Sequence, residues 1–372
     1  MKNIFSRKSK AISAADKLAN IRFAKEIIPF EDVIAPLIEE CEEELHGSVL
    51  KDYQQIREQF LSDSMPVRKG EQKLYLATAK PPAAGGSTEL DLEIEEGMNP
   101  ESTNYDARYT ELVMADPDRY GLEYMNYTYR PMLSAGIQAK LGYKEAKIES
   151  YNRSRPGSNI IASSIINEGV TTGRHIAHGT TMTGGGSEGL LRQLGEEDYE
   201  RRLMVVFTPE QMRIAAADKR ANKEANYQVD PSDFSEKGKK FFERIPVYFE
   251  HGDHLKLYWK DNVEKRAILA AELKGGEFIA HDIPAVRQLV TQYALWRLDK
   301  MEQGSDLANE TGEYNESADI PKFSELIKRY KQRGNNNEIN GYAFSANAGA
   351  NVGAGDGKRP FLTRGWRGMI LR

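Results

Sequence analysis

Long stretches with little apolar periodicity interrupt this chain, and they limit how much of it can enter a compact core. Residues 63–104 and 151–190 are rich in Gly, Ser, Thr and Pro, and NNNEINGYAFSANAGANVGAGDGK is of low complexity. Such segments bury too little apolar surface to offset their ordering entropy. We therefore predict a linker or loop over 63–104, an extended loop or arm over 151–190, and a flexible tether with a docking tail over 335–372.

Three other regions carry periodic patterns. Residues 1–62 predict an N-terminal helical region, with apolar residues at helical spacing after Ser13. Residues 105–150 form a tyrosine-rich region, which suits a half-buried core or a protein-contact surface. Residues 191–334 predict a C-terminal α+β core. The fold class expected for the whole chain is α+β, predominantly helical, with long irregular loops and arms.

The strands predicted in the C-terminal core are short. The apolar, β-branched run Leu203–Phe207 predicts a buried strand, and Thr208 is the expected cap of the helix after it. IPVYFE and HLKLYW are strand-like runs separated by His251, Gly252 and Asp253. This arrangement predicts a β-hairpin near 246–259.

Two helices are predicted to follow. Asp282 is suited to cap the first, with Pro284 in its first turn and an apolar stripe after it. The second runs from about Pro321 to Arg333, and Gly334 marks its end. The glycine pair before Glu277 is interpreted as a turn.

Composition narrows the cellular context. The 372 residues are enough for two domains, or for one domain with long extensions. Cys41 is the only cysteine and lies among glutamates, which indicates a reducing compartment and disfavours a reactive thiolate. No run approaches the ~20 apolar residues of a membrane span, and the basic N-terminus lacks the apolar region of a secretory signal.

The charge distribution suggests contacts with other chains. The net charge is −5, yet all the charged side chains in residues 1–10 and 358–372 are basic. Residues 31–44, in contrast, contain seven acidic side chains and no basic one. Basic ends could bind acidic patches on neighbouring copies. The alternative is solvated helix faces and free tails.

The final segment, RPFLTRGWRGMILR, places apolar residues among arginines. Such a peptide after a flexible tether is typical of a docking arm; the alternative is that it folds back onto its own domain. The predicted interface residues are Phe361, Leu362, Arg364, Trp366, Arg367 and Ile370.

Metal and phosphate chemistry receive little support from the motifs. His175 with His178, and His251 with His254, are the candidate ligands, but the first pair lies in a predicted loop and the second flanks a predicted turn. The glycines at 184–186 lack the following Lys-Ser/Thr of a phosphate-binding loop. We expect neither a metal nor another cofactor.

From Arg244 onward, the order is a hairpin, a helix with IPAVRQLVTQYALWRLDKM, and a second helix with PKFSELIKRYKQR. This order resembles the head–tail connector (adaptor or neck-ring) proteins of tailed bacteriophages over about a quarter of the chain. The resemblance implies a ring of identical subunits between portal and tail, located in the virion after assembly in the host cytoplasm.

We therefore expect a non-enzymatic virion structural protein that forms a symmetric homo-oligomer through its arms. Its partners would be portal, tail or capsid proteins, with incidental contact to packaged DNA and none to a membrane. Two alternatives stay open. One is a metal-dependent enzyme that uses the histidine pairs, and the other is a cytoplasmic scaffold unrelated to viruses.

Overall fold

The computed structural model describes residues 64–118, 129–139, 142–222, 231–262, 264–311 and 320–339, together with positions 51, 54, 55 and 58. The strands are β1 Lys73–Ala79, β2 Val113–Ala115, β3 Ile176–His178, β4 Tyr199–Phe207, β5 His254–Trp259, β6 Ile268–Lys274 and β7 Glu277–Ala280. The helices are α1 Gly86–Met98, α2 Tyr129–Gln138, α3 Tyr143–Thr171, α4 Ser187–Glu196, α5 Glu210–Ala221, α6 Pro231–His251, α7 Ile283–Thr311 and α8 Phe323–Ile339. Within these ranges, none of the helices combines the length with the apolar character that crossing a membrane requires.

The strands form one seven-stranded sheet in the order β2-β3-β1-β4-β5-β6-β7. The first five are parallel to their neighbours, and β6 and β7 are antiparallel. Parallel neighbours require helical crossovers, which explains why helices separate β1 through β5 along the chain. The predicted α+β class is confirmed.

The two faces of the sheet are covered by different helices. Tyr75 and Ala77 of β1 belong to a large apolar cluster that includes residues of α3, α4, α6, α7 and α8. Leu74 and Leu76 point to the opposite face, because side chains alternate along a strand, and they are equally buried. The α1 helix contacts β1 and β4, and its buried residues lie outside that cluster. It therefore covers the second face.

The connections after β1 and β4 consequently diverge. The chain leaves β1 into α1 on one face, whereas it leaves β4 towards α6 on the other. In open α/β sheets, a crevice forms outside the carboxyl ends of the strands at such a switch in direction. The fold thus places a crevice at the carboxyl ends of β1 and β4.

The β-hairpin of the structure lies at 268–280, between β6 and β7. Lys274 pairs with Glu277, and the turn consists of Gly275 (φ +56°) and Gly276 (φ +78°). Left-handed conformations at both positions favour glycine and match the twist of the strands. The turn predicted at these glycines is confirmed.

The hairpin predicted near 246–259 is wrong in its first half. IPVYFE belongs to α6, and only HLKLYW forms a strand, β5. Phe241, Ile245 and Tyr248 are fully buried and follow helical spacing, which outweighs the local strand propensity of this run. Pro246 lies inside the helix.

The region 151–190 is not an extended loop or arm, because α3, β3 and the start of α4 occupy most of it. Its serines enter the helix by donating hydroxyl hydrogen bonds to carbonyls one turn back, as Ser154 does to Ser150 (2.6 Å). Buried Ile161 and Ile165 attach α3 to the core. Polar composition therefore concealed a buried helix.

The region 63–104 is also ordered, since it contains β1 and α1 rather than a linker. The predicted buried strand Leu203–Phe207 and the presence of both C-terminal helices are confirmed. The end predicted at Gly334 is wrong, because α8 continues to Ile339. Asp282 caps α7 by accepting from the Ala285 N–H (2.8 Å). Thr208 does not cap α5, whose N-cap is Pro209 without a side-chain bond. Residues 335–339, assigned to the flexible tether, belong to α8. The remainder of the tether and tail, and all but four positions of the N-terminal region 1–62, lie outside the described residues.

Candidate functional site

A short loop joins the carboxyl end of β1 to α1. Pro81 and Pro82 have no N–H to donate, so strand pairing ends before them. Gly85 follows with φ +79° and occupies the N-cap of α1 without a side-chain hydrogen bond. The result is a strand, a tight glycine-containing loop and an open helix N-terminus.

The first turn of α1 presents backbone donors that the helix does not use. Glu89 donates to the carbonyl of Gly85 (3.3 Å), which begins the helical ladder. The N–H groups of Gly86, Ser87 and Thr88 precede this bond. Such groups, at the positive end of the helix dipole, form an anion-binding surface.

Lys80 is the first residue after β1, and its side chain turns towards this helix start. It is only 8% exposed, and its Nζ donates to Ser87 Oγ (3.1 Å). Its backbone N–H donates to Thr181 O (3.1 Å), which fixes the loop against the segment after β3. Burial lowers the pKa of the Lys80 ammonium to about 8, although the Asp116 carboxylate partly opposes this shift.

A cavity of about 300 Å³ lies beside the loop. Its walls include Gly85 after β1, Thr208 after β4 and Lys260 after β5, so it occupies the crevice that the strand order creates. Thr208 is 6% exposed, and its Oγ1 has no hydrogen-bond partner among the described residues. Because a buried hydroxyl without a partner is costly, this atom points to a ligand or water in the cavity.

The cavity wall carries a positive charge excess. Lys219, Arg220 and Lys260 contribute cations, whereas Glu264 is the acid among the lining residues. Lys219 is paired with Glu264. Lys260 lies 3.4 Å from the buried Glu89. This distribution favours an anionic ligand.

A second group of polar residues lies at the carboxyl ends of β2 and β3, on the other side of Lys80. Asp116 follows β2, is 4% exposed, and accepts from the Asp118 N–H (2.8 Å). Thr78 Oγ1 accepts from the Thr180 N–H (2.9 Å), so the segment after β3 is held against β1. Because β1 lies between β3 and β4 in the sheet, Lys80 at its end lies between this polar group and the strands whose ends border the cavity.

This loop departs from the known phosphate-binding pattern. The consensus for phosphate-binding loops is G-x-x-x-x-G-K-S/T. Residues 80–87 read KPPAAGGS, which departs from it at the first glycine and at the lysine. The order of the segments could have predicted the loop: an apolar run is followed by two prolines and then by Gly-Gly-Ser at the start of a helix.

The histidines of the two pairs make hydrogen bonds within the fold or lie at a helix end. His175 Nδ1 accepts from the Leu74 N–H (3.0 Å), and burial lowers its pKa. His178 Nδ1 shares a hydrogen bond with the Tyr75 hydroxyl (2.7 Å). His254 is buried against Glu272, and His251 ends α6. Across the part of the chain that the structure describes, no three potential ligands are grouped for a metal.

The hairpin turn expected between His251 and His254 is not present. Helix α6 ends at His251, and strand β5 begins at His254. The six predicted interface residues of the tail, Phe361, Leu362, Arg364, Trp366, Arg367 and Ile370, lie outside the described residues. The histidines do not line the cavity.

Neither a protein-family model nor a curated protein matches the sequence. Solved structures match the chain at low sequence identity. One, described as a structural characterization of the PezAT chromosomal toxin-antitoxin system of the human pathogen Streptococcus pneumoniae, is 9% identical, with TM-score 0.39, covering 80% of this chain and 97% of that chain. Another, of AvrRxo1-ORF1:AvrRxo1-ORF2 with sulphate ions, is 12% identical, with TM-score 0.41, covering 66% and 70%. A structure of the same pair with ATP gives the same values.

These findings correct the head–tail connector interpretation. The structures named above are of toxin–antitoxin and AvrRxo1 proteins, and none of these is a virion protein. The bacteriophage assignment, the virion location and the portal, tail and capsid partners are therefore wrong. The expectation of a non-enzymatic protein is corrected as well, because one of these structures is of a complex with ATP. The element order on which the resemblance rested included the hairpin at 246–259, which does not exist.

Proposed function

We propose that this chain binds a nucleoside triphosphate in the crevice beside β1, β4 and β5 and transfers its terminal phosphoryl group. The observation that carries the proposal is the loop from Lys80 to Ser87. Gly85 of this loop and Thr88 of the following helical turn line the cavity, and the buried Lys80 donates to Ser87 between them. Backbone N–H groups and a cation are the donors that a polyphosphate requires. The unpartnered Thr208 hydroxyl supplies a further donor from the opposite wall.

The residues around the loop also suit the magnesium ion that accompanies such a nucleotide. Mg²⁺ prefers hydroxyl, carboxylate and water oxygens, and the Ser87 hydroxyl offers the first of these. A bound Mg²⁺ would neutralise charge on the phosphates. Phosphoryl transfer depends mainly on positioning and charge stabilisation, which the helix N-terminus and Lys80 can provide.

The buried carboxylate defines an acceptor side for the reaction. In the transfer, the bond between the terminal phosphorus and the bridging oxygen breaks as a bond to an acceptor hydroxyl forms. The acceptor proton must leave, and Asp116, beyond Lys80 at the end of β2, is suited to accept it. The nucleoside diphosphate is the leaving group. Where no acceptor hydroxyl is bound, a water molecule attacks the phosphorus instead, and the reaction is hydrolysis.

A pair of glycine variants tests the proposal. Gly85 and Gly70 both have positive φ, so Gly→Ala costs about 1 kcal/mol of conformational strain at either site. A Cβ at Gly70 meets nothing within 4 Å, whereas a Cβ at Gly85 lies 2.8 Å from Lys260 Nζ. We expect Gly85→Ala to weaken Mg·ATP binding by roughly tenfold or more, because it disturbs the loop and displaces a cation. Gly70→Ala should bind normally.

The measurement is titration of the full chain with a fluorescent ATP analogue, followed by release or transfer of a labelled terminal phosphate. Melting temperatures of both variants control for folding. Equal affinity of Gly85→Ala and the unmodified chain would show that the loop does not hold the phosphates. Absence of binding to ATP, GTP, CTP and UTP by the unmodified chain would overturn the proposed function.

Self-association through the C-terminal segment is a separate proposal. It rests on the sequence alone, since Phe361, Trp366 and Ile370 stand among arginines. Light scattering on the full chain and on a chain ending at residue 357 tests it. A larger mass for the full chain supports docking between copies, and equal monomeric masses contradict it.

A further inference from the structure

The loop after β1 carries its lysine at an unexpected position. In the consensus G-x-x-x-x-G-K-S/T, the lysine is the residue between the second glycine and the hydroxyl residue. Aligned on Gly85 and Ser87, this chain has Gly86 at that position and Lys80 in place of the first glycine. Lysine and glycine have therefore exchanged places, while the length of the loop is unchanged.

The geometry shows that the two positions share one volume. A Cβ built on Gly86 would overlap Cδ of Lys80, and would lie 3.0 Å from its Cε and 3.2 Å from its Nζ. The Lys80 side chain therefore passes through the space that a side chain at position 86 would enter. It ends beside the hydroxyl of Ser87 (3.1 Å), the residue that follows.

The charge of Lys80 is only partly offset within the described part of the chain, since the Asp116 carboxylate raises its pKa while burial lowers it by more. Its ammonium has three donors. Its hydrogen bond goes to the neutral Ser87 hydroxyl, and no carboxylate of the described residues lies within 4 Å of it. A cation that is more than nine-tenths buried is costly without an anionic partner, and burial already lowers its pKa. Both facts indicate that an anion completes the site.

Lys260 is the other lysine at the loop, but its charge is compensated. Its Nζ lies 3.4 Å from Glu89, which is 1% exposed and also accepts from the Ala267 N–H (2.8 Å). Lys260 therefore anchors β5 to α1, and the carboxylate would compete with a phosphate for it. The cation that is only partly offset is the one at the end of β1.

We propose that Lys80 is the phosphate-bridging lysine of this site, which reaches the terminal phosphates of the nucleotide from the end of β1 rather than from the first turn of α1. Gly86 is then required as glycine, since any side chain there would displace the lysine. This inference rests on the proposed function and adds the residue that holds the transferred group.

A relocation series tests the inference in the full chain. Lys80→Gly removes the cation and should lower ATP turnover roughly 100-fold, the usual effect of losing one stabilising donor. Lys80→Gly/Gly86→Lys restores the consensus sequence and should recover roughly tenfold or more of that loss, because the new side chain enters the vacated volume. Gly86→Lys alone places two lysines in one volume and should melt at a lower temperature than the double variant.

Lys69→Gly is the matched control, because Lys69 is exposed and lies outside the loop; turnover should be unchanged. Melting temperature is measured for every variant. Full turnover by Lys80→Gly would overturn the inference and leave the proposed function intact. A folded double variant as inactive as Lys80→Gly would also overturn it, since the two positions would not be equivalent. If the unmodified chain neither binds nor hydrolyses a nucleotide, both proposals fail together.

Discussion

At the scale of single residues, Asp106 has the clearest link to pH. Its carboxylate is held by Arg108 (2.7 Å) and Arg202 (2.9 Å), and the hydrogen bonds and charges of these arginines lower its pKa to about 2 in spite of burial. A depressed pKa in the folded state contributes stability above the unfolded value, near 3.9. That stability is lost as the pH falls through about 2.

We expect Asp106→Asn to reduce the free energy of unfolding by about 1 kcal/mol at pH 7, after solvent screening of the pair is discounted. The difference from the unmodified chain should shrink as the pH falls from 5 to 2. Urea denaturation at several pH values measures it, with Glu101→Gln as an exposed control. A difference that is constant across this pH range would contradict the assignment.

Single residues also show where the sequence was informative about the site. Asp282 was predicted as a helix cap, and the Ala285 N–H confirms it, because capping depends on neighbours in sequence. Lys80 was missed, because its role depends on where α1 lies relative to the end of β1. The consensus for phosphate-binding loops has a lysine directly after its second glycine, and in this chain Gly86 occupies that position after Gly85. Spatial equivalence of two positions six residues apart is not visible in a linear pattern.

At the scale of elements, helix α8 contacts the β6–β7 turn through glycines. A Cβ at Gly334 would lie 2.6 Å from Gly276 Cα and 2.9 Å from its N. Helix propensity alone predicts that Gly334→Ala stabilises the helix by about 1 kcal/mol. The contact is with backbone atoms, which cannot rotate away. The cost of overpacking, about 1–3 kcal/mol, should therefore exceed the gain in helix propensity.

The expected result is a lower urea midpoint for Gly334→Ala. Gly184→Ala, where a Cβ meets nothing within 4 Å, is the control and should change little. An increase in the midpoint for Gly334→Ala would mean that α8 and the turn are not in contact in solution.

The elements were predictable to different extents. HLKLYW and the helix after Asp282 were correctly predicted, because periodicity and capping are local signals. IPVYFE was assigned to a strand, although Phe241, Ile245 and Tyr248 repeat at helical spacing once the window extends upstream. The strands β2 and β3 have three residues each and carry too short a pattern to be recognised.

At the scale of the whole molecule, the α+β class followed from composition and periodicity, but the strand order did not. The order depends on which strands pair across long separations, such as Tyr75 with Ile176. Glycine- and serine-rich composition suggested arms that reach other chains, whereas α3 uses its serines to satisfy its own backbone. The crevice, and with it the proposed nucleotide site, can be located only from that strand order.

The strand order also predicts which part of the chain the nucleotide site needs. The cavity residues, the sheet and the apolar cluster all belong to the compact unit Met1–Gly334. A chain that ends at Ile339 keeps α8, including Tyr330, whose hydroxyl donates to Asp253 O (2.5 Å). We expect this truncated chain to bind Mg·ATP with the affinity of the full chain. Ligand at 100 times the dissociation constant should stabilise both by about 2.7 kcal/mol. Thermal unfolding with and without Mg·ATP measures this, and a stabilisation confined to the full chain would show that residues 340–372 take part in the site.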